Sequence, residues 1–109
     1  MRRRTFLLAV AGLWGCSSAP ARAKIVQVTI DQLVFAPAEI VVRVGDTIEW
    51  VNKDVVDHTA TTQSKEWDVV IPAGKTVPLV VKTPGGVAYY CRYHPTMTGR
   101  VVVEPRYRA

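Results

Sequence analysis

The sequence predicts an all-β protein, a sandwich or small barrel of seven to eight short strands with no convincing helix. Two observations carry this. Apolar and polar residues alternate at period two, as with Val26, Val28 and Ile30 against Gln27 and Thr29. Turn signals then recur every ~8–12 residues, among them Gly45-Asp46, Pro72-Ala73-Gly74 and Pro84-Gly85-Gly86. A length of 109 residues suits a single folded domain.

The strands follow in order from Lys24. Val26 to Ile30 is a half-buried strand, and Leu33 to Phe35 a short extended piece that Pro37 interrupts. Glu39 to Val44 is a strand, Gly45-Asp46 a turn and Thr47 to Val51 the returning strand, with Ile48 and Trp50 on one face; together they read as a hairpin. Asn52 to Asp57 is a polar loop leading to His58, and Thr59 to Thr62 is β-branched and extended. Trp67 to Ile71 and Thr76 to Lys82 are strands, the second marked by Pro78 as an edge or a bulge. Val87, Tyr89 and Cys91 share one face of the next strand. Arg100 to Glu104 closes the domain, and Pro105 to Ala109 reads as a frayed tail.

Residues 1–23 read as an export leader rather than as fold. Arg2-Arg3-Arg4 is a positive start, Phe6 to Trp14 an apolar stretch, and Ala21-Arg22-Ala23 a small-x-small cleavage site. Nine apolar residues are too few for a membrane-spanning helix, which needs ~20. Arg3-Arg4-Thr5-Phe6-Leu7 resembles the twin-arginine export motif, and the general secretory route fits the same leader. Leu13-Trp14-Gly15-Cys16 resembles a bacterial lipoprotein box, so cleavage after Ala23 competes with lipidation at Cys16. Both routes lead out of the cytoplasm, to a periplasmic protein that meets the membrane only if Cys16 is lipidated.

The leader also explains the charge. Four of the 14 Lys and Arg residues lie before position 24, leaving 10 against 9 acids. A net charge of +5 therefore gives no support to nucleic-acid binding. A chain starting at Lys24 keeps one cysteine, Cys91, and forms no internal disulfide.

That cysteine opens the sequence Cys91-Arg92-Tyr93-His94-Pro95-Thr96-Met97, which sets a thiolate, an imidazole and a thioether at intervals of three. The other histidine of the chain is His58. Two His, one Cys and a weak Met are the donor set of a blue-copper electron-transfer site. Blander readings exist for each residue alone. His58 reads as a surface residue, Cys91 as inert packing, and Cys-x-x-His as part of a zinc site, although zinc needs two further Cys or His ligands and rarely takes Met. Trp50, Trp67, Tyr89 and Tyr90 read as core; Arg92 and Arg100 read as solvated charge. The four donors together, in an exported strand-rich domain, favour copper.

The chain resembles the cupredoxins, the small type 1 blue copper proteins, and most closely their amicyanin/plastocyanin branch. The resemblance covers Phe35-x-Pro37-x-x-Ile40, Val44-Gly45-Asp46-Thr47-Ile48-x-Trp50-x-Asn52, His58, and Tyr89-Tyr90-Cys91-x-x-His94-x-x-Met97-x-Gly99-x-Val101-Val102-Val103. The short Cys-x-x-His-x-x-Met spacing is of amicyanin type. The resemblance implies a Greek-key cupredoxin domain over residues 24–109, with His58, Cys91 and His94 as equatorial copper ligands and Met97 as the axial one. Thr59 stands where many relatives have Asn tying the two ligand loops, and with Asn52 it is a candidate support for the ligands. Asp57 stands where relatives often have proline; a poorly solvated carboxylate there would favour the more positive, oxidised metal.

The implied function is one-electron transfer with no catalysis, by a monomer that docks briefly on a dehydrogenase, a cytochrome or an oxidase. The implied electron port is His94, rimmed by Pro95. The alternative is a periplasmic copper-binding protein or chaperone that hands the metal on.

Overall fold

The computed structural model describes residues 22–106. Among these residues nine strands form two sheets, one more strand than the upper expectation. The first sheet has the order β2-β1-β4-β7, built from β1 (Ile25–Asp31), β2 (Val34–Ala36), β4 (Thr47–Asn52) and β7 (Thr76–Val80). The second has the order β3-β9-β8-β5-β6, built from β3 (Glu39–Arg43), β5 (His58–Thr62), β6 (Asp68–Ile71), β8 (Gly85–Tyr90) and β9 (Thr98–Glu104). Residues 1–21 of the leader, Cys16 included, and residues 107–109 of the expected tail lie outside the described residues.

Alternation dictates which faces meet. Val28 and Ile30 of β1 and Ile48 and Trp50 of β4 are fully buried, and they pack against Ile40, Val42, Ile71, Tyr89 and Val101 of the other sheet. Every residue of β5 is buried. Tyr89 sits at the centre of an aromatic cluster, edge-on to Phe35 with ring centroids 4.7 Å apart, and Trp50 Nε1–H donates to its hydroxyl. Burial pushes the Tyr89 phenol up to about 12 despite that hydrogen bond.

Three expectations change. The hairpin at Gly45-Asp46 is a crossing between sheets: β3 runs parallel to β9, and β4 runs parallel to β1 and antiparallel to β7. Two strands with alternating apolar residues satisfy their pattern equally well by pairing edge to edge or by facing each other across a core. Gly85 and Gly86 belong to β8, opposite Val103 and Val102, so the turn lies just before them. Arg106 does not fray, because its Nε–H donates to Val44 O and its guanidinium to the Asp46 carboxylate. Pro78, by contrast, lies on β7 at the edge of its sheet, as expected.

Parallel β1 and β4 both run away from the Lys24–Asp46 end. Their far ends therefore deliver the β1–β2 turn and the 53–57 loop to the pole where His58 and Cys91 lie.

Candidate metal centre

The two ligand segments come from neighbouring strands of one sheet. His58 is the first residue of β5, and Cys91 directly follows β8, which pairs with β5 through Thr61↔Tyr90 and Thr62↔Tyr89. After Cys91 the backbone folds into two successive turns. His94 N–H donates to Cys91 O at 3.2 Å, and Met97 N–H to His94 O at 2.9 Å. Turns that close on the third residue return every third side chain to the same side, which is why a spacing of three serves the motif. Cys91 N–H then donates to Met97 O and closes the loop.

The donor atoms converge. Cys91 Sγ lies 3.7 Å from His58 Nδ1 and 3.7 Å from His94 Nδ1, and the three donors lie within 4.8 Å of one another. His58 and Cys91 have no exposed surface and Met97 has 4 %, while His94 is half-buried. Bonds of about 2.3 Å from thiolate and about 2.0 Å from imidazole, meeting at about 120°, set sulfur and nitrogen about 3.7 Å apart. The two sulfur–nitrogen separations thus suit a divalent first-row ion held between the three donors. Thiolate and two imidazoles, with buried Met97 closing the same loop, fit copper better than zinc.

Each donor is oriented by a neighbour. Asp54 Oδ2 lies 2.8 Å from His58 Nε2. A carboxylate only accepts, so Nε2 carries the hydrogen and the Nδ1 lone pair faces Cys91. Asp54 is itself held by the N–H groups of Gln32 and Leu33, at 2.7 and 3.0 Å. Burial pushes its carboxyl up, but the bonds from Leu33, His58 and Gln32 more than offset this and hold it below the usual carboxylate range. Asn52 braces the same loop: its amide donates to Val56 O and Ile71 O, and its Oδ1 accepts from Asp54 N–H. Thr59 N–H points at Cys91 Sγ, 3.4 Å away, and Thr59 Oγ1 accepts Arg92 N–H at 2.8 Å. Thr59 therefore ties the two ligand segments together without an asparagine.

Asp57 is different from its sequence expectation. It is exposed, and its carboxylate accepts from Ala73 N–H. The poorly solvated carboxylate beside the site is Asp54, which the sequence reading passed over. Its signal was the Asn52-x-Asp54 pair, a pattern suited to an Asx turn. Arg92, read as solvated charge, is ion-paired with Asp68, its Nε 2.9 Å from Oδ1.

A family model described as a cupredoxin-like domain matches residues 5–103. Amicyanin-alpha of Methylorubrum extorquens is 31% identical over 106 residues, covering 92% of this chain and 87% of that protein. Among solved structures, a reduced amicyanin variant superposes with a TM-score of 0.66 at 28% identity, over 73% of this chain and 82% of its own. A Cu(I) form of another amicyanin variant gives 0.69 at 26% identity, over 77% and 86%.

Proposed function

This chain belongs to the cupredoxin-like family, and from that premise we propose that it is a type 1 copper protein carrying one electron at a time between redox partners. The observation that carries this reading is the placement of Cys91 Sγ 3.7 Å from both histidine Nδ1 atoms. His58, Cys91 and His94, with the Met97 thioether as a fourth donor, are the residues that would hold the metal. Bound copper supplies a one-electron Cu(II)/Cu(I) couple.

The protein's residues hold that site still. Asp54 fixes the His58 ring, the Thr59 N–H faces the Cys91 sulfur, and two turns and a closing hydrogen bond fix the 91–97 loop. A site that stays put costs little rearrangement when charge changes, which suits a carrier. His94 is the half-buried ligand, so its ring edge is the electron port. Exposed Pro95 and Tyr93 flank it, and Val55, 93 % exposed, lies in the His58 loop at the same pole. A small apolar rim suits brief docking on a dehydrogenase, a cytochrome or an oxidase. With four protein donors assigned to the metal, no position is left for a substrate, and the protein is read as a carrier and not an enzyme. The leader's composition supports a periplasmic location, with membrane attachment only through a lipidated Cys16.

Copper titration of the purified protein tests this. One equivalent of Cu(II) should give an intense blue thiolate-to-metal charge-transfer band, absent in Cys91→Ser. Repeated oxidation and reduction without loss of metal supports a carrier; release of copper on each reduction would instead favour a copper-handling role. The complete burial of His58 and Cys91 supports the carrier.

A further inference from the structure

Arg92 reaches back to the β5–β6 hairpin twice. Its backbone N–H donates to Thr59 Oγ1 at 2.8 Å, and its Nε–H donates to Asp68 Oδ1 at 2.9 Å. The same Oδ1 accepts the Thr61 hydroxyl at 2.8 Å, and Thr61 Oγ1 lies 3.0 Å from Thr59 Oγ1. Thr59, Thr61, Asp68 and Arg92 thus form a closed ring of hydrogen bonds.

The ring has one consistent direction. A carboxylate donates nothing, and each hydroxyl has one hydrogen to give. Thr61 gives its hydrogen to Asp68, so Thr59 must give its own to Thr61. That leaves the Thr59 oxygen as acceptor for Arg92 N–H. Reversing Thr61 would turn its oxygen lone pairs toward the Asp68 carboxylate and set two acceptors face to face. Both threonines have no exposed surface, so solvent does not stand in for a lost partner. The Asp68 side chain is 43 % exposed, so the group that sets the direction stands at the surface. Thr59 N–H also points at Cys91 Sγ, so one residue holds both the sulfur and the peptide that follows it.

We propose that Asp68, Thr61 and Thr59 are positioning residues for Cys91: a surface carboxylate orients two buried hydroxyls, which hold the Cys91–Arg92 peptide against β5. This deepens the metal-site reading and rests on it only for the effect on bound copper. The ring itself belongs to the metal-free fold.

The test compares Thr61→Val, Thr61→Ser, Asp68→Ala and Arg92→Ala. In metal-free protein, the Arg92 amide should exchange hydrogen about tenfold faster in Thr61→Val and Asp68→Ala, measured against amides of the β1–β4 sheet. Thr61→Ser restores the hydroxyl and should restore protection. Arg92→Ala deletes only the guanidinium arm and should leave the amide of residue 92 protected. Loaded with copper, Thr61→Val and Asp68→Ala should also alter the relative intensities of the charge-transfer bands, with the other two unchanged. Unchanged exchange in Thr61→Val, or equal acceleration in Thr61→Ser, overturns the proposal. If Thr61→Val does not fold, acceleration in Asp68→Ala but not in Arg92→Ala upholds the ring, and acceleration in both or neither overturns it. A protein that takes no copper yet keeps this exchange pattern contradicts the metal reading alone and upholds the ring.

Discussion

Asp54 and Asp57 are three residues apart in one loop, yet the Asp54 carboxylate bonds the His58 ring while that of Asp57 accepts from Ala73 N–H. Burial and hydrogen bonding separate their roles. Replacing Asp54 with Ala removes the acceptor that holds the His58 ring and should weaken copper binding by roughly 10–100-fold in a competition titration. Asp57→Asn, at an exposed position, should leave the reduction potential close to that of the unaltered protein, because solvent screens its charge. The cluster of His58, Cys91 and His94 was legible in the sequence because their chemistry is rare and the chain holds no surplus His. The groups that orient them were not. Asp68 reaches Thr61 across 7 positions and Arg92 across 24, and ordinary surface aspartates carry no mark of such contacts.

At the scale of the elements, period-two alternation placed most strands within a residue or two. It gave their inward faces but not their partners. β3 and β4 show the reason: Ile40 and Val42 are buried from one sheet and Ile48 and Trp50 from the other, so each strand keeps its pattern while the pair splits between layers. Gly99 on β9 shows how close the packing beside the ligand strand is. A Cβ there would stand 2.5 Å from Tyr89 Cζ. Gly99→Ala must displace the central aromatic ring and should cost about 1–3 kcal/mol in denaturant unfolding, with the main loss in the sheet that carries Cys91.

Across the whole molecule the two poles have separate tasks. One gathers the donors; the other ties Lys24 and Arg106 to the sheet crossing. There Asp46, 3 % exposed, accepts from Lys24 N–H at 2.9 Å, from Arg43 N–H at 2.8 Å and from Arg106. Burial pulls the Asp46 carboxyl upward, but the N–H groups of Lys24 and Arg43 and the Arg106 charge more than offset it, leaving it below 3.8. The folded form thus binds its proton less readily than the unfolded form. The stability it contributes is complete above the ordinary carboxylate value and is lost as pH falls through the lower folded value. Thermal melts should therefore be nearly flat through neutral pH and decline below about pH 4. Asp46→Ala leaves the Arg106 guanidinium without its carboxylate and should cost about 3 kcal/mol at neutral pH.

The proposed copper site gathers Cys91, His58, His94 and Met97 at one of these poles. Its most direct measurement is a Cu(II) titration of the purified protein followed by visible absorption, with Cys91→Ser beside it. The account predicts a single equivalent bound, an intense blue band that saturates at that point, and a colourless variant. Colourless binding by the unaltered protein, or a blue band that survives in Cys91→Ser, would contradict it.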